Sequence, residues 1–140
     1  MSPGAWRRFI KPHLSEIYAL AKANGRYVLH HSDGCITSII GDMIDMGCDI
    51  LHPVQPEAMD ILALKREFGR HITLFGGMRT QDMLVWGRPQ EVRAEMRMLK
   101  RELGKGGGYI ASNGITIQGD VPLENMVAMI EEARLPRSLT

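Results

Sequence analysis

Gly47-Cys48-Asp49-Ile50-Leu51-His52-Pro53-Val54-Gln55-Pro56 holds a helix stop, a short strand and a polar strand end in one stretch. Upstream of it, Ile36, Ile39, Ile40, Met43 and Ile44 recur at helical spacing, and Gly47 ends that helix. Asp49 to Val54 then reads as a strand. Downstream, Ile61, Leu64 and Phe68 mark the next helix, Gly69 stops it, and His71 to Phe75 reads as strand again. The strand-to-strand step of about 23 residues suits a βα unit and implies parallel strands joined by right-handed crossovers.

The same unit extends to both ends of the chain. Ser2 is placed to cap a first helix with Pro3 at its first position. Trp6, Phe9, Ile10, Leu14, Ile17, Leu20 and Ala21 follow a helical period, and Pro12 should kink or divide that helix. Asn24-Gly25 is a stop signal, and Arg26 to His31 reads as the first strand. Past the third strand, Thr80 can cap a short helix. Pro89 opens a longer one whose Val92, Met96, Leu99 and Leu103 face inward. Gly104 to Gly108 turn into the strand Tyr109 to Ser112. A last helix starts near Pro122 and is expected to bury Leu123, Met126, Val127 and Ile130. Residues 1–134 thus form the ordered unit, and 135–140 a frayed tail. Four parallel strands are half of an eight-stranded barrel, which typically takes ~250 residues. A small open doubly wound sheet is the alternative.

Composition narrows the function classes. Hydrophobic residues make up 44% and charged residues 24%, with a net charge of +1, so a globular protein is expected and neither a nucleic-acid footprint nor a polybasic membrane patch stands out. No apolar run reaches the roughly 20 residues of a spanning helix, and Met1 to Trp6 lack the apolar stretch expected of a signal peptide. Only Cys35 and Cys48 are present, which points to a reduced, cytoplasmic setting without a disulfide framework.

Chemistry gathers at the carboxyl ends of parallel strands. Here those ends read His30-His31-Ser32-Asp33-Gly34, His52-Pro53-Val54-Gln55-Pro56, Gly76-Gly77-Met78-Arg79-Thr80-Gln81 and Ser112-Asn113-Gly114. His31 and Asp33 leave an extended chain on the same face. They could share a divalent metal such as zinc, or Asp33 could orient the imidazole; equally, Asp33-Gly34 could form a turn and cap the following helix. His30 points the other way and should pack between sheet and helix. His52, Gln55 and Asn113 are candidates for lining a pocket, and His52 could equally make a structural hydrogen bond at its strand end. Gly76 and Gly77 permit close backbone approach to a ligand or a tight turn. Arg79 is the only cation at a strand end and could meet a substrate carboxylate or phosphate, or simply face solvent. Gly106-Gly107-Gly108 precedes a strand instead of a helix, so it is not a phosphate loop.

These segments resemble, in order, the C-terminal half of the uroporphyrinogen decarboxylase and cobalamin-dependent methyltransferase superfamily. The resemblance rests on His31-Ser-Asp-Gly34, Gly47 to Pro56, Lys65-Arg-Glu-Phe-Gly69, Phe75-Gly-Gly77, Gly108-Tyr-Ile-Ala111 and Gln118-Gly-Asp-Val-Pro-Leu-Glu-Asn125. The opening Ser2-Pro3 with Trp6-Arg-Arg-Phe-Ile-Lys-Pro12 resembles the helix before the fifth barrel strand. The resemblance implies strands five to eight of a TIM-type (β/α)8 barrel.

Two activities follow from it as alternatives. One is decarboxylation of tetrapyrrole acetate side chains in porphyrin biosynthesis. The other is methyl transfer or demethylation with a corrinoid carried by a partner protein, using zinc to activate a thiol. The zinc-dependent members show His-x-Cys after the fifth strand and a further Cys later; His31 matches, but Asp33 and Ile115 stand at the cysteine positions. The resemblance also implies that carboxylate-binding arginines and an essential aspartate lie in an N-terminal half this chain lacks. We therefore expect a missing half-barrel or self-association, with little activity from the chain alone. A non-catalytic binding or assembly subunit is the reading from another class.

Overall fold

A computed structural model describes residues 1–136. The first helix is divided as Pro12 foretells: α1 runs Pro3–Phe9 with Ser2 accepting from the Ala5 amide, and α2 runs Lys11–Ala23. Then come β1 (Leu29–His31), a 3-10 turn at Thr37–Ile39 leading into α3 (Ile40–Met46), and β2 (Ile50–Val54). They are followed by α4 (Ile61–Phe68), β3 (Thr73–Met78), α5 (Met83–Trp86), α6 (Pro89–Glu102), β4 (Tyr109–Asn113) and α7 (Leu123–Arg134). Of the tail expected to fray, Leu135 is extended and its carbonyl accepts from Lys100 Nζ at 2.6 Å; residues 137–140 lie outside the described residues.

The four strands form one parallel sheet in the order β1-β2-β3-β4. That order decides the architecture. A doubly wound sheet reverses its strand order so that helices cover both faces. A sequential order with right-handed crossovers places every connecting helix on one face, which is the winding of a barrel wall.

Burial along the strands agrees. Leu51 and Leu74 face the helices and are fully buried, whereas Leu29 and Ile110 on the other face keep 48% and 39% of their surface. The core lies between sheet and helices. Val92, Met96 and Leu99 of α6 and Leu103 just past its end pack there with no exposed surface, as their spacing predicts. Gly47 closes α3 in the left-handed conformation at φ 99°, which glycine adopts without a Cβ penalty.

Several expectations need correction. The first strand begins at Leu29 instead of Arg26, and the third runs Thr73–Met78 instead of ending at Phe75. Thr80 does not cap α5; Asp82 does, accepting from the Met83 amide. Thr80 is buried and its hydroxyl instead accepts from the Gly114 and Ile115 amides at 2.9 and 3.3 Å. Finally, α7 turns Asn125, Ala128, Met129 and Glu132 inward, leaving Leu123, Val127 and Ile130 exposed. Glu132 is drawn in because Arg97 meets it through two hydrogen bonds of 3.0 and 2.9 Å. On α2, Ile17 and Leu20 are likewise exposed while Tyr18 is buried.

Candidate functional site

The carboxyl ends of β1, β2 and β3 carry a row of rings on the uncovered face of the sheet. Parallel pairing sets His31 opposite His52, and the Ile50–Thr73 register brings Phe75 beside them. The His31 and His52 rings lie 4.9 Å apart between centroids, and those of His52 and Phe75 4.6 Å. The two Nδ1 atoms share a hydrogen bond of 2.8 Å. Asp33 Oδ2 stands 3.4 Å from His31 Nε2, a long contact in an exposed setting. Burial holds the His52 imidazole below its ordinary pKa, and the neighbouring His31 adds to this against an opposing pull from Asp33.

The loops around the row are tied to one another. Gln55, at the end of β2, accepts from the Gly34 amide at 2.8 Å and so fixes the loop that carries Asp33. The Ser32 amide donates to the His52 carbonyl at 2.8 Å. The His52–Pro53 peptide is cis. His30 faces the helix side, as its parity predicts, where its Nδ1 shares a 2.6 Å hydrogen bond with the Tyr18 hydroxyl. Burial, then His31, lower its pKa.

The remaining sequence candidates lie farther from ligand chemistry. Gly76 and Gly77 have φ of 124° and 94°. A Cβ on Gly76 would come within 3.0 Å of the Val54 amide nitrogen, and one on Gly77 within 3.3 Å of Leu103 and Tyr109 atoms. The close approach that Gly76 allows is to β2. Arg79 is engaged by Glu95, whose carboxylate accepts from Nη2 at 2.7 Å and from Nε at 3.1 Å, and by Asp82 at 2.9 Å. Hydrogen bonding to Glu95 raises the guanidinium pKa further. Asn113 donates to the Ile115 carbonyl and its Oδ1 accepts from the Ser112 hydroxyl at 3.2 Å, so both ends of its amide serve its own loop.

The sequence offers Thr80 only as a helix cap and Phe75 only within a family-like segment, neither as a candidate site residue. Parity along β3 could have found Phe75, since it shares the open face with the strand-end histidines once register is known. Thr80 carries no such signal.

Among the described residues no three His, Cys, Asp or Glu side chains converge as a metal ion requires. His31 and Asp33 are adjacent, as their spacing suggests, but this chain does not by itself fit a zinc site. A concavity of about 1200 Å3 opens at the amino ends of the strands between Tyr27, Asp49, Arg66, Arg70 and Lys105. It lies at the opposite end of the sheet from the ring row. Among the described residues, no helix is long and apolar enough to cross a membrane.

The family model for uroporphyrinogen decarboxylase (URO-D) matches residues 1–135. This chain belongs to the uroporphyrinogen decarboxylase family. Among curated members, uroporphyrinogen decarboxylases from two strains of Thermus thermophilus are each 27% identical over 94% of this chain. The chain spans 37% of the length of those relatives. Among solved structures, a methyltransferase from Methanosarcina mazei superposes with a TM-score of 0.76 at 25% identity, covering 95% of this chain and 37% of that one. The uroporphyrinogen decarboxylase family fold is a TIM barrel, and the four parallel strands seen here are half of its wall.

Proposed function

We propose that this chain is the strand-five-to-eight half of a barrel that transfers a methyl group, with His52 as the proton acceptor for the group that receives it. The observation that carries the reading is the Asp33–His31–His52 array. With a proton on His31 Nε2 facing Asp33, the His31 Nδ1 accepts from His52 Nδ1–H. His52 Nε2, which has no protein hydrogen-bond partner among the described residues, is then left with a lone pair toward the open face. Its lowered pKa keeps that imidazole neutral near pH 7. A neutral imidazole with a free nitrogen suits removal of a proton from a thiol or other acceptor, a role typically worth 10²–10⁴-fold in rate. Asp33 orients His31, Gln55 holds the loop, and Phe75 excludes water beside His52.

A corrinoid carried by a partner protein would supply the methyl group at the mouth. Metal does not enter this reading, because His31 and Asp33 lack a third protein ligand among the described residues. Barrel closure requires four more strands, and we assign to that missing half the remaining substrate contacts.

Decarboxylation of uroporphyrinogen is the second reading, favoured by the names of the 27% identical relatives. It asks for cations to hold substrate carboxylates, and Arg79, the one cation at a strand end in the sequence, is already engaged by Glu95 and Asp82.

The test joins this chain to an N-terminal barrel half and supplies a methylated corrinoid protein with a thiol acceptor. Loss of methylcorrinoid absorbance is expected, and His52→Gln should slow it at least ~100-fold. A His52→Gln rate within threefold of wild type sinks the assignment; turnover of uroporphyrinogen by the same assembly would establish the second reading in its place.

A further inference from the structure

We propose that the amino-end mouth of this sheet binds a polyphosphate group, free or esterified to a nucleoside, through Arg66, Arg70 and Lys105. The inference is independent of the methyl-transfer reading, because these residues stand at the opposite end of the strands from His31 and His52.

The site is built where two loops meet. Residues 69–72 lead from α4 into β3, and residues 103–108 lead from α6 into β4. Lys65 Nζ donates to the Gly107 carbonyl at 2.5 Å and so fastens the second loop to α4. The two loops run so close that a Cβ on Gly108 would stand 3.3 Å from the Gly69 carbonyl oxygen. The concavity opens beside this junction, with Arg66 and Arg70 contributed from one side and Lys105 from the other.

Its charge is one-sided. Lys65, Arg66, Arg70 and Lys105 line it against two carboxylates, Asp49 and Glu102. Both carboxylates are met by cations outside the lining. Asp49 accepts from Lys22 Nζ at 2.5 and 2.6 Å and from the Val28 amide at 2.7 Å. Glu102 accepts from Arg101 Nε at 2.7 Å. Arg66, Arg70 and Lys105 are exposed and have no hydrogen-bond or ion-pair partner among the described residues. By contrast, Arg7, Arg79, Arg88, Arg93, Arg97 and Arg101 each hold a carboxylate. In a chain whose formal charge is +1, unpaired cations gathered in one cleft focus a field of one sign and draw in an anion.

Two guanidinium forks and an ammonium suit linked phosphates. The forks pair bidentately with phosphate oxygens, and the ammonium adds a point charge. These side chains supply the contacts, not the amides of the glycine run. They belong to α4 and to the loops entering β3 and β4, whereas the other half of a barrel joins at the free edges of β1 and β4. Closing the barrel narrows the mouth and keeps the three cations on its rim.

The experiment is calorimetric titration of the full chain, and of the chain joined to an N-terminal barrel half, with inorganic triphosphate, ATP, adenosine and citrate. Triphosphate should bind at one site per chain in both proteins, and at least ~10-fold more weakly as salt rises from about 50 to 300 mM. Tighter binding of ATP than of triphosphate names a nucleotide as the source; equal or weaker binding of ATP names inorganic polyphosphate. Arg70→Gln and Lys105→Gln should each weaken triphosphate at least ~10-fold, with a smaller loss in Arg70→Lys. Both residues are exposed, so folding should survive, as circular dichroism would check. Arg8→Gln removes the same charge from α1 and should change nothing. The proposal is overturned by the absence of triphosphate binding, by adenosine or citrate binding as tightly as triphosphate, or by an Arg8→Gln effect as large as that of Arg70→Gln. Loss of the site on joining the N-terminal half overturns it as well.

Discussion

Replacing Gly76 by alanine would press a methyl group against the β2 backbone. The residue has φ of 124°, a conformation that costs an L side chain about 1–3 kcal/mol. The added Cβ would stand 3.0 Å from the Val54 nitrogen and 3.3 Å from its carbonyl oxygen. Neither atom can swing aside, because both belong to a strand paired on either side. Overpacking of this kind costs typically about 1–3 kcal/mol. The two contributions together come to about 2–6 kcal/mol, a large part of the roughly 5–15 kcal/mol that holds a domain folded. The midpoint of thermal unfolding should drop by about 7–20 °C. Gly106→Ala is the internal comparison: its φ is 76° and nothing lies within 4 Å of the added Cβ, so only the conformational cost of about 1–2 kcal/mol remains. Urea and thermal unfolding at one fixed protein concentration measure both. Equal destabilisation by the two variants, within about 0.5 kcal/mol, would refute the steric argument. A fully stable Gly76→Ala barrel that had lost ligand binding would return the glycine to the ligand.

Three further outcomes follow from contacts described above. His30 and His52 both have lowered pKa values; the unfolded chain therefore binds more protons below about pH 6.5, so stability is full above that pH and falls as acid is added. His52→Gln should flatten part of that slope in urea midpoints taken from pH 7.5 to 5, and an unchanged slope would contradict the shift. Arg79→Gln strips the main partner from Glu95, whose side chain is 7% exposed, and should cost about 2–3 kcal/mol of stability; a loss confined to ligand binding would show that the arginine serves substrate. Thr80→Ala removes the acceptor of the Gly114 and Ile115 amides and should cost about 1–3 kcal/mol, with faster hydrogen exchange at those two amides and recovery in Thr80→Ser.

Some of this molecule is written plainly in its residues. The i, i+4, i+7 spacing of Val92, Met96 and Leu99 marks the buried stripe of α6 because the neighbour that covers it, the sheet, is part of the same chain. Leu123, Val127 and Ile130 are as regular, yet they are exposed. Periodicity marks an apolar stripe without saying which neighbour covers it. The same limit holds at the site. His31 and Asp33 share a face by parity along one strand, and the structure sets them 3.4 Å apart. The His31–His52 bond depends on register between strands 21 residues apart in sequence, which no local pattern encodes. Arg79 reads as a free cation until Glu95, 16 residues on and on a different element, is seen to hold it.

The ring row of His31, His52 and Phe75 is drawn from a single run of chain and held by ladders between adjacent strands. No atom of a complementary wall is needed to set the 2.8 Å imidazole contact or the Gly34–Gln55 tether. The geometry of these groups is thus set within one wall of the barrel, and closure of the barrel only adds the wall that faces them. A lineage could exchange the opposite wall, by fusion or fission of genes at the β1 seam, and keep its imidazoles in register while the cavity they face is rebuilt.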